Sequence, residues 1–405
     1  MTVTEALPTL QLKRHEERRL RAGHLWVFSN EIDVVATPLK SFPPGAIARV
    51  LSSKGEFLGY GYVNPGTLIA IRMVSRHERE PVNATLLRSR LAAAAELRNF
   101  LGRGLFHRWV YGESDRLPGL VLDRFGDVVV GQIATLGMEQ LKDAISAAVR
   151  ATPGVSTLVW KNDSGARDLE QLPEYVELAF GSLPAELTIE EAVAPAKLLR
   201  CRVPLAQAQK TGWFYDQTDN RARLAAFIRP GARVLDVCSY AGAWGLTALA
   251  AGAGSALCVD SSQAALDTAE ANGRLNGLAL SVRKGDAFDV LQDLAANKER
   301  FDVVVVDPPA FIKRKKDLPQ GEAAYRKLNQ LAMRLLTDGG LLVSCSCSWH
   351  LPPDALLGAI QTGARHLDRL VQVIAVGGQS ADHPIHPAIP ETRYLKAFFA
   401  RVTQE

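Results

Sequence analysis

Long apolar runs and paired cysteines are both missing from this 405-residue sequence. No run approaches the roughly 20 apolar residues of a membrane-spanning helix, and the opening MTVTEALPTLQLKRHEERRL lacks the apolar stretch of a signal peptide. The five cysteines are odd in number and include no C-x-x-C pair, so the patterns of a zinc site and of a redox pair are absent. We therefore expect a cytoplasmic protein with reduced thiols, no membrane partner and no bound metal.

A large excess of charge is also absent. The 47 Lys and Arg residues against 43 Asp and Glu give a net charge of +4, which argues against a polycation that simply coats nucleic acid. With 22% charged and 47% hydrophobic residues, the chain belongs to the globular class and is long enough for two or three domains. Residues 1–110 nevertheless hold 16 Lys and Arg against nine Asp and Glu. This basic N-terminal region suits an anionic polymer as partner.

The first segment is expected to form a β-rich domain over residues 1–76. One short basic helix is followed by short β-prone runs that glycine and proline interrupt. The helix should carry Arg14 and Arg18, and Trp26 follows it. A solvated helix beside a small core accounts for these residues, but cations next to an aromatic face can also hold a phosphate backbone and stack a base. Arg14, Arg18 and Trp26 are therefore candidate RNA contacts.

Two further domains are expected. Residues 77–187 begin with an alanine-rich helix from Ala84 to Leu101 and alternate strand and helix signals, which predicts a small central α+β domain. Residues 188–405 contain long β-α-β units, which predict a doubly wound α/β domain with chemistry at the carboxyl ends of its parallel strands. The expected strands are Arg233–Cys238, Ala256–Val259, Leu280–Arg283, Asp302–Val306 and Leu341–Cys345.

Three acids stand at the carboxyl ends of the first three of these strands. Only Gly242 and Gly245 follow the first strand, so the dinucleotide fingerprint is incomplete. Asp236 can face a cationic ligand head, Asp260 can accept from ribose hydroxyls, and Asp286 can accept from an adenine amino group. Each acid alone is explained as a helix cap or a surface charge. Together they favour S-adenosylmethionine, which has no phosphate to neutralise.

The fourth and fifth strands end in groups that could react. Asp307 is followed by two prolines that stiffen the turn. Cys345 lies within the last strand and should be buried, whereas Cys347 lies beyond it, near Asp307. A thiolate beside a methyl donor suggests attack on C6 of a pyrimidine, which activates C5, while Asp307 holds the N3/N4 edge of the ring. The base that removes the C5 proton is not identified.

A basic run follows Asp307 along the chain. Four consecutive cations suit either a solvated loop or a set of phosphate contacts beside the catalytic edge. These candidate RNA contacts are Lys313, Arg314, Lys315 and Lys316.

The sequence resembles the RlmI-like family of large-subunit rRNA cytosine-C5 methyltransferases over nearly its whole length. The segments that carry the resemblance are Leu25–Phe28, Gly59–Pro65, Gly112–Asp123, Thr211–Arg221, Val234–Gly242, Asp307–Phe311 and Ser346–Ser348. The resemblance implies an N-terminal PUA-like RNA-binding domain, a central α+β domain and a Rossmann-like class I methyltransferase domain. It also implies 5-methylcytosine formation in 23S rRNA, on free rRNA or on a large-subunit assembly intermediate.

The same resemblance implies roles for single residues. Asp236, Asp260 and Asp286 would contact S-adenosylmethionine, Asp216 and Gln217 would flank it, and Cys347 would be the nucleophile. The chain departs from the wider group of RNA cytosine-5 enzymes at Ala310, because many of them have a second cysteine there. The segment Asp382-His383-Pro384 also resembles a family signature, in which His383 is either a proton carrier or an ordinary loop residue.

Other functions stay open at this stage. A methyltransferase for guanine in rRNA would share the Asp-Pro-Pro turn and need no thiol. A non-catalytic RNA-binding protein could retain the fold, and a small-molecule methyltransferase would have little use for the basic N-terminal region. Whether the protein forms a homodimer is also open.

Overall fold

The computed structural model describes residues 7–194, 197–205 and 210–405. The chain divides into two compact units. The first contains the described parts of residues 1–185, 208–213 and 382–392, and the second contains those of residues 186–207, 214–381 and 393–405. This division follows spatial packing, and it places two later segments of the chain in the first unit. The units are therefore not continuous stretches of sequence, and the domain boundaries expected at residues 76 and 187 stay predictions.

The first unit begins with a five-stranded sheet of order β1-β3-β4-β5-β2. Its elements are β1 (Thr9–Gln11), α1 (Glu17–Arg21), β2 (Trp26–Phe28), β3 (Ile47–Leu51), β4 (Phe57–Val63) and β5 (Ile69–Ser75). Helix α1 is shorter than predicted: Arg18 lies on it, but Arg14 precedes it. Leu10 and Leu12 are both buried, and this two-residue period makes the chain before α1 extended rather than helical.

A second five-stranded sheet, of order β10-β9-β8-β7-β6, completes the first unit. Helices α2 and α4 pack on it over a core that includes Leu87, Trp109 and Trp160. Helix α2 begins after Asn83, whose side chain accepts from the backbone amides of residues 85 and 86. The elements are α2 (Ala84–Phe100), β6 (Phe106–Tyr111), β7 (Leu120–Phe125), β8 (Val128–Ile133), α3 (Leu136–Gln140), α4 (Lys142–Arg150), β9 (Thr157–Asn162) and β10 (Tyr175–Phe180).

The second unit has a seven-stranded sheet of order β15-β14-β13-β16-β17-β19-β18 with helices on it, and a separate hairpin β11-β12. All five predicted strands are present and parallel, as β13 to β17. The elements are β11 (Leu187–Ala194), β12 (Lys197–Val203), α5 (Thr218–Ala225), β13 (Arg233–Val237), α6 (Ala243–Ala250), β14 (Ser255–Asp260), α7 (Gln263–Leu275), β15 (Leu280–Lys284), α8 (Ala287–Ala296), β16 (Phe301–Val306), α9 (Leu318–Arg334), β17 (Leu336–Ser346), α10 (Pro353–Arg365), β18 (Arg369–Gly378) and β19 (Lys396–Gln404).

The register of this sheet brings the candidate residues to one edge. Parallel pairing aligns the carboxyl ends of β13 to β17, which is where α/β sheets bind ligands. Strand β19 runs antiparallel to β17, so its first residue, Lys396, pairs with Ser346 at the last residue of β17. In the part of the chain that the structure describes, no helix is long and apolar enough to cross a bilayer.

The stability of the first unit depends on a buried ion pair. Arg98, in α2, is 0% exposed, and its guanidinium donates to both carboxylate oxygens of Asp115 at 2.6 and 2.8 Å. It also donates to the carbonyl oxygens of Arg108 and Asp382. We expect Arg98→Met to lower the free energy of unfolding by about 3–5 kcal/mol, because a buried carboxylate loses its partner.

Urea unfolding, followed by circular dichroism, measures this loss. Arg88→Met is the matched control, because Arg88 lies on the same helix but is exposed, and it should change the free energy by less than about 0.5 kcal/mol. Equal losses for the two variants would contradict the assignment.

Candidate active site

Asp236 lies beneath the turn that joins β13 to α6. It is 0% exposed, and its Oδ2 accepts from the backbone amide of Gly245 at 3.0 Å and lies 3.6 Å from the Cys258 sulfur. Its Oδ1 has no hydrogen-bond partner among the residues that the structure describes. Burial, and secondly the nearby Asp307, raises the pKa of Asp236 to about 7. A buried carboxyl group with an unused acceptor is suited to a positively charged ligand.

The turn above Asp236 has an unusual backbone. Cys238 and Tyr240 have positive φ angles of 62° and 47°, a region that non-glycine residues seldom occupy. Gly242 also has a positive φ, of 76°, and a Cβ there would lie 2.8 Å from the Cβ of Ala269. Gly242 is thus required by the packing of the turn against α7. Strained residues of this kind concentrate at ligand-binding turns.

Asp260 is the last residue of β14, and Asp286 follows β15, so both lie at the carboxyl ends of their strands, as expected. The two carboxylate oxygens of Asp260 accept from the backbone amides of Tyr240 and Ser262, each at 2.9 Å. Asp260 therefore holds the strained turn in place. Asp286 is exposed and caps α8, accepting from the amide of Phe288 at 2.9 Å. The cap uses one carboxylate oxygen, Oδ1, so Asp286 can cap α8 and also accept from a ligand through its other oxygen.

Asp307 is anchored by side chains from two other elements. Its Oδ2 accepts from the indole of Trp244 at 3.1 Å and from the amide of Gln217 at 3.0 Å. Burial raises the pKa of Asp307 to about 6. The Oε1 of Gln217 accepts in turn from Asn220. Asp216 lies beside Gln217, is buried, and accepts from the hydroxyl of Tyr394.

Cys347 lies beside the turn that follows Asp307. Its sulfur is 3.9 Å from the carbonyl oxygen of Pro308, and the side chain is half-buried, whereas Cys345 is fully buried in β17. Ser346 and Ser348, on either side of Cys347, contact the hydroxyl of Tyr325 at 2.8 and 2.9 Å. The structure therefore brings the thiol and Asp307 to the same edge of the sheet.

Lys396 is a residue that the sequence analysis missed. It is buried, and its Nζ donates to the carbonyl oxygens of Ser348 and Tyr394. Burial lowers the pKa of Lys396 to about 8, although a charge interaction with Cys347 acts in the opposite direction. An ammonium group beside a thiol favours the thiolate. The signal in the sequence was a lysine at the start of the apolar run of β19. Lysine is mostly exposed in proteins, whereas an apolar run indicates a buried strand.

Trp244 and Tyr325 were missed as well. Trp244 lies two residues after the segment Val234–Gly242 that carries the resemblance. The signal in the sequence was its indole N–H, which needs an acceptor when the ring is buried. Tyr325 lies in the middle of α9, and nothing local distinguishes it from an ordinary core tyrosine.

The predicted RNA contacts lie in separate places. Arg14 and Arg18 are exposed in the first unit. Trp26 is half-buried there, and its indole donates to Glu113 at 3.0 Å. The basic run in the second unit is exposed throughout, and these residues are Lys313, Arg314, Lys315 and Lys316. The nucleic-acid contacts of these residues stay predictions.

His383 belongs to the first unit, where it is buried. Its Nδ1 lies 2.9 Å from a carboxylate oxygen of Asp382, and its ring packs on Tyr111 with 5.3 Å between the centroids. The neighbouring acid, Asp382, also accepts from the backbone amide of Arg108. These contacts favour a structural role for His383 over that of a proton carrier.

The chain matches known proteins along nearly its whole length. A family model for PUA-like domains matches residues 10–76, and one for S-adenosylmethionine-dependent methyltransferases matches residues 182–396. The ribosomal RNA large subunit methyltransferase I of Photobacterium profundum is 35% identical over 397 residues, 96% of this chain and 98% of that protein. Its counterpart in Shewanella frigidimarina is 34% identical over 399 residues, 97% and 99% of the two chains. The chain belongs to this family.

Solved structures agree with this fold. A Streptococcus mutans protein assigned to the SAM-dependent methyltransferases superposes with a TM-score of 0.80 at 20% identity, over 98% of this chain and 100% of that one. A protein assigned to the methyltransferases and solved with SAH has a TM-score of 0.82 at 20% identity, with the same coverage. These superpositions confirm the predicted fold class. The family matches show that the protein is an S-adenosylmethionine-dependent methyltransferase with a PUA-like N-terminal domain.

Reactivity of the five cysteines tests the geometry of this site. Burial raises the pKa of the other four thiols, and the thiolate is the form that reacts. We expect brief iodoacetamide treatment at pH 7.5 to label Cys347 about tenfold faster than any other cysteine. Peptide mapping by mass spectrometry measures each rate.

Lys396→Met should slow the labelling of Cys347 several-fold, because the sulfur loses a neighbouring cation. Lys298→Met is the control, since Lys298 is exposed on the same unit. Preferential labelling of Cys345, or a rate at Cys347 that Lys396→Met leaves unchanged, would show that the arrangement is wrong.

Proposed function

We propose that the protein forms 5-methylcytosine in large-subunit (23S) rRNA through a covalent adduct between Cys347 and C6 of the cytosine. The observation that carries the proposal is the half-buried Cys347 sulfur beside the carbonyl oxygen of Pro308, directly after Asp307. An rRNA substrate is supported by the printed names of the relatives. A thiol at this position has a use in pyrimidine C5 chemistry and none in methylation of a guanine nitrogen.

The proposed chemistry has two stages. The Cys347 thiolate adds to C6, which makes C5 nucleophilic enough to take the methyl group that S-adenosylmethionine supplies. A base then removes the C5 proton, the C5–C6 double bond re-forms, and the thiolate leaves. Asp307 holds the N3/N4 edge of the ring, and because its pKa is about 6, it can exchange a proton with N3 near neutral pH.

The cofactor is assigned to the same edge of the sheet. Asp236 supplies a carboxylate for the positive charge of the ligand, Asp260 accepts from the ribose hydroxyls, and Asp286 accepts from the adenine amino group. The turn at Gly242 brings backbone close to the ligand, and Asp307 with Asp216 and Gln217 borders it. The unused Oδ1 of Asp236 supports this assignment.

The proposed RNA contacts lie on each unit. Arg14, Arg18 and Trp26 are assigned on the first unit, and Lys313, Arg314, Lys315 and Lys316 are assigned on the second. The substrate is free rRNA or an assembly intermediate in the cytoplasm, and the base must be unstacked because the thiol approaches C6 from the face of the ring.

Cys347→Ala tests the covalent step. We expect the rate of methyl transfer to rRNA to fall by on the order of 10³-fold or more, because a nucleophile is removed. RNA that contains 5-fluorocytidine should form a denaturant-resistant complex with the unaltered protein and none with the variant, because C5 carries no proton that can be removed. Tritium transfer and gel mobility measure the two effects.

Cys345→Ala is the matched control, since Cys345 is a buried sulfur two residues away, and its rate should stay within about threefold. Undiminished 5-methylcytidine from Cys347→Ala would refute the adduct. Methylated guanosine in a nucleoside digest would support the guanine alternative instead.

The raised pKa of Asp236 predicts a pH-dependent affinity for the cofactor. With a pKa of about 7, the group is largely neutral at pH 6 and ionised at pH 8, and only the ionised form attracts a cation. Affinity for S-adenosylmethionine should therefore rise with pH between 6 and 8, and binding at pH 7 should release protons. Calorimetry in buffers of different ionisation enthalpy measures that release.

Asp236→Asn should remove most of the proton release, whereas Asp289→Asn, at an exposed acid in α8, should retain it. Proton release that Asp236→Asn leaves unchanged would assign the titration to another group.

A further inference from the structure

The first unit contains a cavity of about 280 Å³. Both sheets of the unit contribute to its lining. Trp26 comes from the first sheet, and Tyr111, Glu113 and Arg167 come from the second sheet and its loops. The volume is just below the range of pockets for drug-sized ligands, so a single ring system fits it better than a longer segment of a polymer.

The aromatic side chains of this cavity are anchored at their polar atoms. The Trp26 indole donates to Glu113 Oε1 at 3.0 Å, and the guanidinium of Arg72 lies 5.5 Å from the centre of its ring. The Tyr111 hydroxyl donates to the carbonyl oxygen of Thr392 at 3.0 Å. Fixed aromatic surfaces are what single-stranded RNA-binding proteins offer to unstacked bases.

Glu113 provides an acceptor in the cavity wall. Arg72 donates to Glu113 Oε1 at 3.1 Å, and this is the same oxygen that Trp26 contacts. Within the described residues, this leaves Oε2 as an acceptor for a ligand. Since the charge of Glu113 is balanced by Arg72, the carboxylate can meet a neutral donor without an excess of negative charge.

Arg167 provides a donor in the same wall. It is only 1% exposed, its Nε donates to the carbonyl oxygen of Pro173, and its Nη1 donates to Ile133 and Glu139. Its Nη2 has no partner among the described residues. A buried donor without an acceptor costs about 1–3 kcal/mol, and native structures seldom leave one unless a ligand or water supplies the acceptor.

We propose that this cavity binds one unstacked guanine ring. The Watson–Crick edge of guanine presents two adjacent donors, N1–H and N2–H, which match the carboxylate of Glu113, and one acceptor, O6, which matches Arg167. Adenine and cytosine present a single amino donor beside acceptors, and uracil presents one donor between two acceptors. Among the described residues that line the cavity, Arg167 is the one cation, and it is already paired with Glu139, so a phosphate group is a poorer match than a base.

The proposal rests on the proposed function in one respect, because it takes the guanine to be part of an RNA chain. Under that function the cavity would read one guanine of the substrate, as a recognition position separate from the methylated cytosine. A free guanine nucleotide has the same ring and is the other source to be distinguished.

Fluorescence anisotropy with short labelled RNAs tests the preference. The probes are eight-nucleotide uridine strands with one central guanosine, inosine, adenosine or cytidine. We expect the guanosine strand to bind about tenfold tighter than the inosine and adenosine strands, because inosine lacks the N2 amino group and a lost bond to a charged acceptor is worth about a factor of ten. Equal affinities for all four strands would overturn the proposal.

Glu113→Gln should reduce the preference for guanosine over inosine to within about twofold, while thermal unfolding checks that the variant is folded. The control Glu56→Gln replaces an exposed acid of the same unit, outside the cavity, and should keep the full preference. A preference that survives Glu113→Gln would remove the carboxylate from the assignment. Competition by guanosine monophosphate at the affinity of the guanosine strand would assign the site to a free nucleotide.

These measurements need neither cofactor nor methyl transfer. The variant Cys347→Ala should therefore keep the same preference, so that failure of the cytosine chemistry and failure of the guanine site give different results.

Discussion

One buried hydroxyl group, that of Tyr325, fixes the segment that carries Cys347. The Tyr325 hydroxyl contacts the serines on both sides of Cys347, and Ser348 also accepts from the backbone amide of Ile312 in the loop that follows Asp307. Burial raises the pKa of Tyr325, so the hydroxyl stays neutral. Because every member of this network is away from water, losing one bond would leave another polar group unsatisfied. The thiol is therefore held beside Asp307 by interactions that have no solvated alternative.

The same edge of the sheet concentrates acids that repel one another. Asp307 is among the causes that raise the pKa of Asp236, and Asp216 among those that raise the pKa of Asp307. Trp244 and Gln217 offset part of this by donating to Asp307. A positively charged ligand would relieve the rest, since it stabilises the ionised form of each carboxyl group. This concentration of acids thus favours a positively charged sulfonium cofactor over a negatively charged phosphorylated one.

Much of this arrangement could be predicted because its signals are local. An apolar run that ends in an acid indicates a buried parallel strand with a polar residue at its carboxyl end. This pattern predicted the positions of Asp236, Asp260 and Asp307 at one edge of the sheet. The pattern of the two thiols also predicted the burial of Cys345 correctly. Strands β18 and β19 were not predicted, and neither were Tyr325 and Lys396, because their pairings join positions far apart in sequence. Helix α1 is shorter than predicted, because the two-residue period of the buried Leu10 and Leu12 makes the chain before it extended.

The residue at position 310 adds a constraint on the proposed reaction. With Ala310 after the prolines, the described site offers Cys347 for attack, while Cys345 is buried within its strand. The sulfur that adds to C6 must then also leave, and the proton at C5 must go to a group that is not a thiol. In the proposed reaction, Lys396 in its charged form, with a pKa of about 8, would stabilise the thiolate before addition and again as the leaving group. The antiparallel pairing of β17 with β19 brings Lys396 to the carboxyl end of β17.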